Sequence, residues 1–328
     1  GPLRMSGHYR LLTRMMLAEL RLLGIQAISP EFLPHNDFAP VARWIARRKQ
    51  EGVQCMLAAG VSRGLRVAAA AADESLDIAG TIFLLGGEAL TDAKRAVIEG
   101  AGCEVHARYT ISELGPIGMG CREMSGNCVH LCTDAVAVIS RRRIAPISGT
   151  EVDSLLFTTV LPYAATLMIN VEMGDAGELG EAACDCSLKR MGFTRKLDKI
   201  YSYSKLTGQG TTLMGSDILQ IIEQKLPSRF GGLPTDYQLV ETEGQKQTEV
   251  ELRVSPRVGV TSVETVKECF LDEVKRLYAG GSARRVWIQT EGFRVVVGEP
   301  YQTGDRGKIH SLHLLGTVGK QADRRVDE

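Results

Sequence analysis

A chain of 328 residues with 39 lysines and arginines against 39 aspartates and glutamates carries no net charge, so it lacks a long-range field with which to recruit nucleic acid or an anionic membrane. Its length allows two or three domains around a sizeable core, and no apolar run approaches membrane-spanning length. Eight cysteines without a secretory signal point to reduced thiols or a metal, and Gly1-Pro2-Leu3-Arg4 before Met5 reads as a cleavage scar, so a cytoplasmic protein is expected.

Residues 8–24 place Leu11, Leu12, Met15, Met16, Leu20 and Leu23 at helical spacing, and Gly24 ends that helix. A short strand is expected at 25–28, a helix at 39–50 and a strand at 53–58. Gly60 to Gly64 turn into an alanine-rich helix ending near Ala72, with Trp44 expected as a core anchor. A strand at 82–85, a helix capped by Thr91 and a strand at 105–107 follow. Strands alternating with helices imply βα units and a parallel sheet. After Val129 the long helices stop, and short strands are expected at 136–140, 154–159 and 166–171, as a β-rich subdomain. Residues 204–215 are polar and glycine-rich and read as a hinge. Beyond it, helices at 216–226 and 263–278 and strands at 237–241, 249–255, 285–289 and 293–297 suggest an α+β plait of ferredoxin-like size, with a charged, frayed tail from about 319.

Tyr109-Thr110-Ile111-Ser112-Glu113 is expected just past the carboxyl end of a strand, where open α/β sheets bind ligands. A tyrosine there can lie on a planar base, and Ser112 and Glu113 can reach a phosphate and its Mg²⁺. Near the other end, Gly307 lets a loop approach a ligand closely, and Lys308 is a compact point charge suited to sit between a carboxylate and a phosphate. His310 and His313 beside it read as surface residues, His106 as a satisfied strand histidine, and Glu172 as either a second polar group near Asp175 or a solvated carboxylate.

Gly86-Gly87-Glu88, Tyr109-x-x-Ser112-Glu113, Gly174-Asp175, the glycine-rich hinge and Thr303-x-x-x-Gly307-Lys308-Ile309 occur in the order and rough spacing of the adenylate-forming enzymes, which the chain resembles over residues 20–315. The Ser62-containing turn, the cysteine and histidine pattern and Tyr237-Gln238-Leu239-Val240 are most similar to the phenylacetate–coenzyme A ligase branch. The resemblance implies a partial α/β large domain of parallel sheet plus β-rich subdomain, with a small C-terminal α+β domain. The corresponding segments are a scar at 1–4, a nucleotide-binding subdomain at 5–128, a β-rich unit with a zinc site at 129–203, the hinge at 204–215, the small domain at 216–318 and the tail at 319–328.

It also implies ATP or AMP and Mg²⁺ as cofactors, a small carboxylic acid of the aryl or arylacetic class as substrate, and coenzyme A or an acyl-carrier protein as thiol acceptor. Gly86, Gly87 and Glu88 would border the adenine, Tyr109 would stack on it and Thr110 would lie beside it. Ser112 would contact phosphate, Glu113 would hold Mg²⁺ and Asp175 would take both ribose hydroxyls. Lys308 would bridge the substrate carboxylate and the α-phosphate, and the hinge would let the small domain swing between two half-reactions.

Two family features are absent. No glycine-rich phosphate loop precedes Gly86, although Ser148-Gly149-Thr150 has the residue types later in the chain. Tyr201-Ser202-Tyr203-Ser204-Lys205 replaces the hinge arginine motif, leaving Lys205 to take that position. The expectation is a truncated or natively short member. The alternative is a catalytically incomplete adenylate-binding scaffold, with a homodimer or partner chain supplying the phosphate loop.

Cys184-x-Cys186, together with Cys121, Cys128, His130 and Cys132, offers the soft tetrahedral ligands that a structural Zn²⁺ takes. The resemblance suggests Cys121, His130, Cys184 and Cys186. Strand alternation keeps Cys128 in place of Cys121 as a rival, with Cys132 also open. Cys55, Cys103 and Cys269 sit in apolar contexts and read as core.

Overall fold

The computed structural model describes residues 7–25, 33, 37–144, 151–164, 166–203, 216–243, 248–276, 293–303 and 307–315. The expected scar at 1–4, residues 26–28, Ser148–Thr150, the hinge with Lys205, the strand at 285–289 and the tail lie outside them.

Helix α1 (Gly7–Leu22) follows the periodicity, yet Leu11, Leu12, Met15 and Met16 are each more than half exposed. Helix α2 (Ala39–Gln50) buries Ala42, Ile45 and Ala46. Trp44 does not anchor the core: it is 50% exposed, with the Arg48 guanidinium 5.7 Å from its ring centroid. The polar run Arg47-Arg48-Lys49 puts that face of α2 in water.

The sheet then starts. Strands β1 (Met56–Gly60), β2 (Ile82–Gly86) and β3 (Glu104–Ile111) are parallel neighbours. Helices α3 (Val61–Asp73) and α4 (Asp92–Gly100) connect them and pack on one another. Phe83, Leu85, Val105 and Ala107 alternate inward, each at most 3% exposed. Strand β3 is longer than expected, so Tyr109 lies within it and not beyond it. Its second half leaves β2 and pairs with β4 (Gly115–Met119) through a bulge at Tyr109/Thr110.

The strands of the β-rich stretch extend this sheet edge to edge. They are β5 (Val129–Leu131), β6 (Val136–Ile144), β7 (Glu151–Thr159), β8 (Val171–Glu181) and β9 (Arg195–Ser202). The nine-stranded order is β1-β2-β3-β4-β5-β9-β8-β7-β6, antiparallel from β3 onward. One apolar core runs from Val61 and Leu65 to Leu155, Phe157 and Leu197. The strand expected at 166–171 starts only at Val171. Before it, the Thr158 hydroxyl accepts from the Asn170 N–H at 2.9 Å and Asn170 takes a φ of 50°, which closes a turn. A short helix α5 (Ser187–Arg190) separates β8 from β9.

The C-terminal unit begins with α6 (Ser216–Gln220), a π-helical turn (Ile221–Lys225) and α7 (Leu226–Phe230). Strands β10 (Tyr237–Glu243) and β11 (Thr248–Val254), helix α8 (Val263–Arg276), β12 (Phe293–Val297) and β13 (Leu312–Leu315) complete it. The sheet order is β12-β11-β10-β13, over a second core in which Phe270 stacks on Phe293 at 5.1 Å. Among the described residues no helix is long and apolar enough to cross a membrane.

Candidate functional site

A cleft of about 580 Å³ opens beyond the carboxyl ends of β2 and β3, where the C-terminal unit meets the large sheet. Its first wall is the turn after β2. A Cβ on Gly86 would lie 2.2 Å from the Arg108 carbonyl oxygen of the neighbouring strand, so only hydrogen fits. Gly87 has a φ of +77°, and a Cβ there would sit 3.3 Å from Lys308 Cε and Nζ. The turn is bare where the lysine enters. Gly86→Ala is expected to cost about 2–3 kcal/mol by prising β2 from β3. Denaturant unfolding with a lowered midpoint and an unchanged slope would register it.

Glu88 is half-buried beside this turn. The Ser62 hydroxyl, at the first turn of α3, donates to Glu88 and accepts from the Ile309 N–H at 3.3 Å. Burial raises the Glu88 carboxyl, while Ser62, Lys94 and Lys308 oppose it. Ser62 thus links Glu88 and the large sheet to the segment that carries Lys308. Backbone pairing with Thr303 at 2.8 and 3.1 Å holds Lys308 itself in place.

The second wall carries Tyr109, Thr110 and Asp175. The Tyr109 hydroxyl donates to Asp175 Oδ2 at 2.7 Å, and the ring packs 6.3 Å from Phe157. Burial, reinforced by the Asp175 charge, raises the phenol far above its ordinary range, so it stays a donor. One Asp175 oxygen is engaged and the ring is fixed in orientation.

Not every expected residue reaches the cleft. Ser112 and Glu113 are exposed in the β3–β4 turn and do not line it. Glu172 is bound elsewhere: Ser154 at 2.7 Å, Tyr203 and Arg143 contact it. Burial alone would raise its carboxyl, and these partners instead hold it low. His310 and His313, expected at the surface, both line the cleft. Burial lowers the His313 imidazole, which stacks on Tyr301 at 5.7 Å.

The cleft also contains Lys94, Glu223 and Ser311, which sequence spacing did not single out. Lys94 follows the Thr91 cap by one helical turn, and that cap was the nearest legible signal. Glu223 meets Lys94 and Ser311 across 129 and 88 residues of chain, so their contacts leave no local pattern.

A separate cluster brings together Cys121, His130, Cys184 and Cys186, whose ligand atoms lie within 4.8 Å of one another. Cys184 Sγ and Cys186 Sγ are 3.3 and 3.2 Å from His130 Nε2, and 3.6 Å from each other. His130 Nδ1 is 2.7 Å from the Phe193 carbonyl, which can only accept, so Nδ1 is the protonated nitrogen and Nε2 turns its lone pair to the sulfurs. A tetrahedron at zinc's bond lengths would place sulfurs about 3.8 Å apart and sulfur from nitrogen about 3.6 Å apart, within a few tenths of an ångström of these values. Burial pushes the Cys121 thiol up to about 12, whereas at Cys186 burial is outweighed by the Lys189 N–H and the neighbouring thiols, so its value falls. Cys128 and Cys132 fall outside the group, and Cys55, Cys103 and Cys269 are core, each 6% exposed.

No protein-family model and no curated protein matches the chain. Solved structures do. A 2-hydroxyisobutyryl-CoA ligase in its postadenylation state, in complex with R3-HIB-AMP, matches 84% of this chain and 56% of its own at 17% identity, with a TM-score of 0.53. An anthranilate CoA ligase bound to anthranoyl-AMP matches 87% of this chain and 53% of its own at 11% identity and TM-score 0.53. The Bacillus subtilis O-succinylbenzoate coenzyme A synthetase, in complex with ATP and magnesium, matches 90% and 57% at 13% identity and TM-score 0.52. The chain spans little more than half the length of each. Across that span it has the fold of the adenylate-forming acyl-CoA and aryl-CoA ligases.

Proposed function

We propose that this chain carries the nucleoside-binding wall and the reacting lysine of a carboxylate-activating site. The reaction is ATP-dependent conversion of a carboxylic acid to an acyl-adenylate, followed by transfer to the thiol of coenzyme A or a carrier protein. An aryl or arylacetic acid is the substrate class. The observation that carries the reading is Lys308, which projects from the C-terminal unit against Gly87, in a cleft also lined by Tyr109 and Asp175.

In the first step a carboxylate oxygen attacks the α-phosphorus, and the bond to the β-phosphate breaks to release pyrophosphate. Two anions must meet, and Lys308 supplies the positive charge where they do. Gly86, Gly87 and Glu88 border the base, Tyr109 offers its ring and Asp175 accepts from the ribose hydroxyls. In the second step the thiol sulfur attacks the acyl carbon, AMP leaves and the thiol proton passes to solvent. Glu113 would hold Mg²⁺, which would neutralise phosphate charge, with Ser112 on a phosphate. Cys121, His130, Cys184 and Cys186 fit Zn²⁺ with no position left open, so its role would be structural.

The exposure of Ser112 and Glu113 outside the cleft favours a second reading, in which this chain binds the nucleoside but needs a partner chain or a second copy to seat the triphosphate. Calorimetric titration with AMP and with Mg·ATP separates the two. Asp175→Ala should weaken AMP by about 1.5–3 kcal/mol, the worth of hydrogen bonds to a charged group. AMP and Mg·ATP binding with carboxylate-dependent pyrophosphate exchange supports the first reading. AMP binding without exchange supports the second, and no binding of either nucleotide overturns both.

A further inference from the structure

The C-terminal unit is not merely laid against the cleft. Lys94 Nζ, from α4 on the large sheet, is 2.9 Å from Glu223 Oε1, and their side chains are 3% and 2% exposed. The Ser311 hydroxyl donates to the same oxygen, and the Thr91 hydroxyl donates to Oε2. Both carboxylate oxygens are therefore taken, two contacts coming from the large sheet and one from just before β13. The π-helical turn shapes this arrangement. It keeps Ile221 and Ile222 in the C-terminal core while directing Glu223 outward to α4. Ser311 lies three residues beyond Lys308, and the Ser62–Ile309 bond fastens the intervening segment.

We propose that Lys94 and Glu223 form an interdomain latch that positions Lys308 against Gly87 and so readies the cleft for the first half-reaction. The assignment of a half-reaction rests on the adenylation reading above; the latch itself rests on the buried pair alone. When the C-terminal unit swings away, Glu223 leaves with it, and Lys94 is exposed on the cleft wall. A pair this deeply buried holds only while both partners are present. Its rupture therefore favours the open arrangement, and Lys94 and Glu223 act as positioning residues through Lys308.

The test is amine labelling of the whole chain, read at Lys94 by mass spectrometry, for the parent, Glu223→Gln and Ser311→Ala. Thiol labelling of Cys103 and Cys269, each 6% exposed in the two separate cores, reports unfolding. The expected result is a rise at Lys94 of about tenfold or more in Glu223→Gln, and a smaller rise in Ser311→Ala, with both cysteines still protected. No rise at Lys94 overturns the latch, and so does a rise shared equally by the cysteines, which would make the pair only a stabilising contact. Under the adenylation reading, Glu223→Gln should also lose pyrophosphate exchange while still passing a supplied acyl-adenylate to a thiol. A Lys94 rise in a chain whose parent shows no exchange leaves the latch standing and removes the adenylation reading.

Discussion

Lys308→Ala is expected to lower carboxylate-dependent pyrophosphate exchange by at least about 10²–10³-fold, the scale at which losing one preorganised charge at a reacting centre is felt. Stability should change by less than about 1 kcal/mol, because Lys308 is only half-buried and has no ion pair within bonding distance among the described residues. The discriminating control is the second half-reaction. Transfer from a supplied acyl-adenylate to a thiol should survive, since no anion then attacks the phosphorus. Lys308→Arg should not restore full exchange, because a planar, delocalised guanidinium does not place a compact point charge between carboxylate and phosphate. Gly87→Ala should mimic part of the loss, both by its 3.3 Å contact with the lysine and by strain at a φ of +77°. Full exchange in Lys308→Ala, with the substitution confirmed by mass, would remove the lysine from the chemistry.

Thr91 as a helix cap and Gly307 as a loop opener are legible because each is a local device that leaves its mark within a few residues, whereas Gly86-Gly87-Glu88 is picked out by its resemblance to the family motif. The βα units from β1 to β3 were legible for the same reason, since period-2 and period-3.6 apolar spacing is imposed by the covering helices. The spacing puts Tyr109 past the end of β3, whereas β3 runs on to Ile111; from Arg108 onward it pairs with β4 and is bulged at Tyr109/Thr110, so no single alternation marks its end. Residue type points Trp44 to the core, but the neighbouring basic run decides its face. Lys94 and Glu223 leave no signal in the sequence, because a salt bridge between distant segments has no period. His313 reads as a surface residue for a similar reason: the cleft it lines exists only once β13 pairs with β10.

The Cys121, His130, Cys184 and Cys186 cluster makes the other large prediction. The chain purified without chelator should carry about one zinc. Cys184→Ser and His130→Ala should abolish it, while Cys132→Ser should retain it because Cys132 lies outside the four-atom group. The four side chains come from three places: the segment after β4, strand β5 and the loop after β8. Little apolar packing holds that corner, where Cys121, Met124, Cys128, Ala182 and Cys184 form a small cluster apart from the main core. A metal that binds only the folded chain stabilises it by about 4 kcal/mol when present at a thousandfold its dissociation constant. Chelation should therefore lower the melting temperature by several degrees, and restoring zinc should recover it in the parent but not in Cys184→Ser. Because β5 bridges β4 to β9, loosening at this corner should also reach the cleft through β3 and β8, which carry Tyr109 and Asp175. Metal-free protein should bind AMP more weakly than zinc-loaded protein. Equal affinity in the two forms would confine the metal to local stability, and absence of metal from native preparations would remove the site.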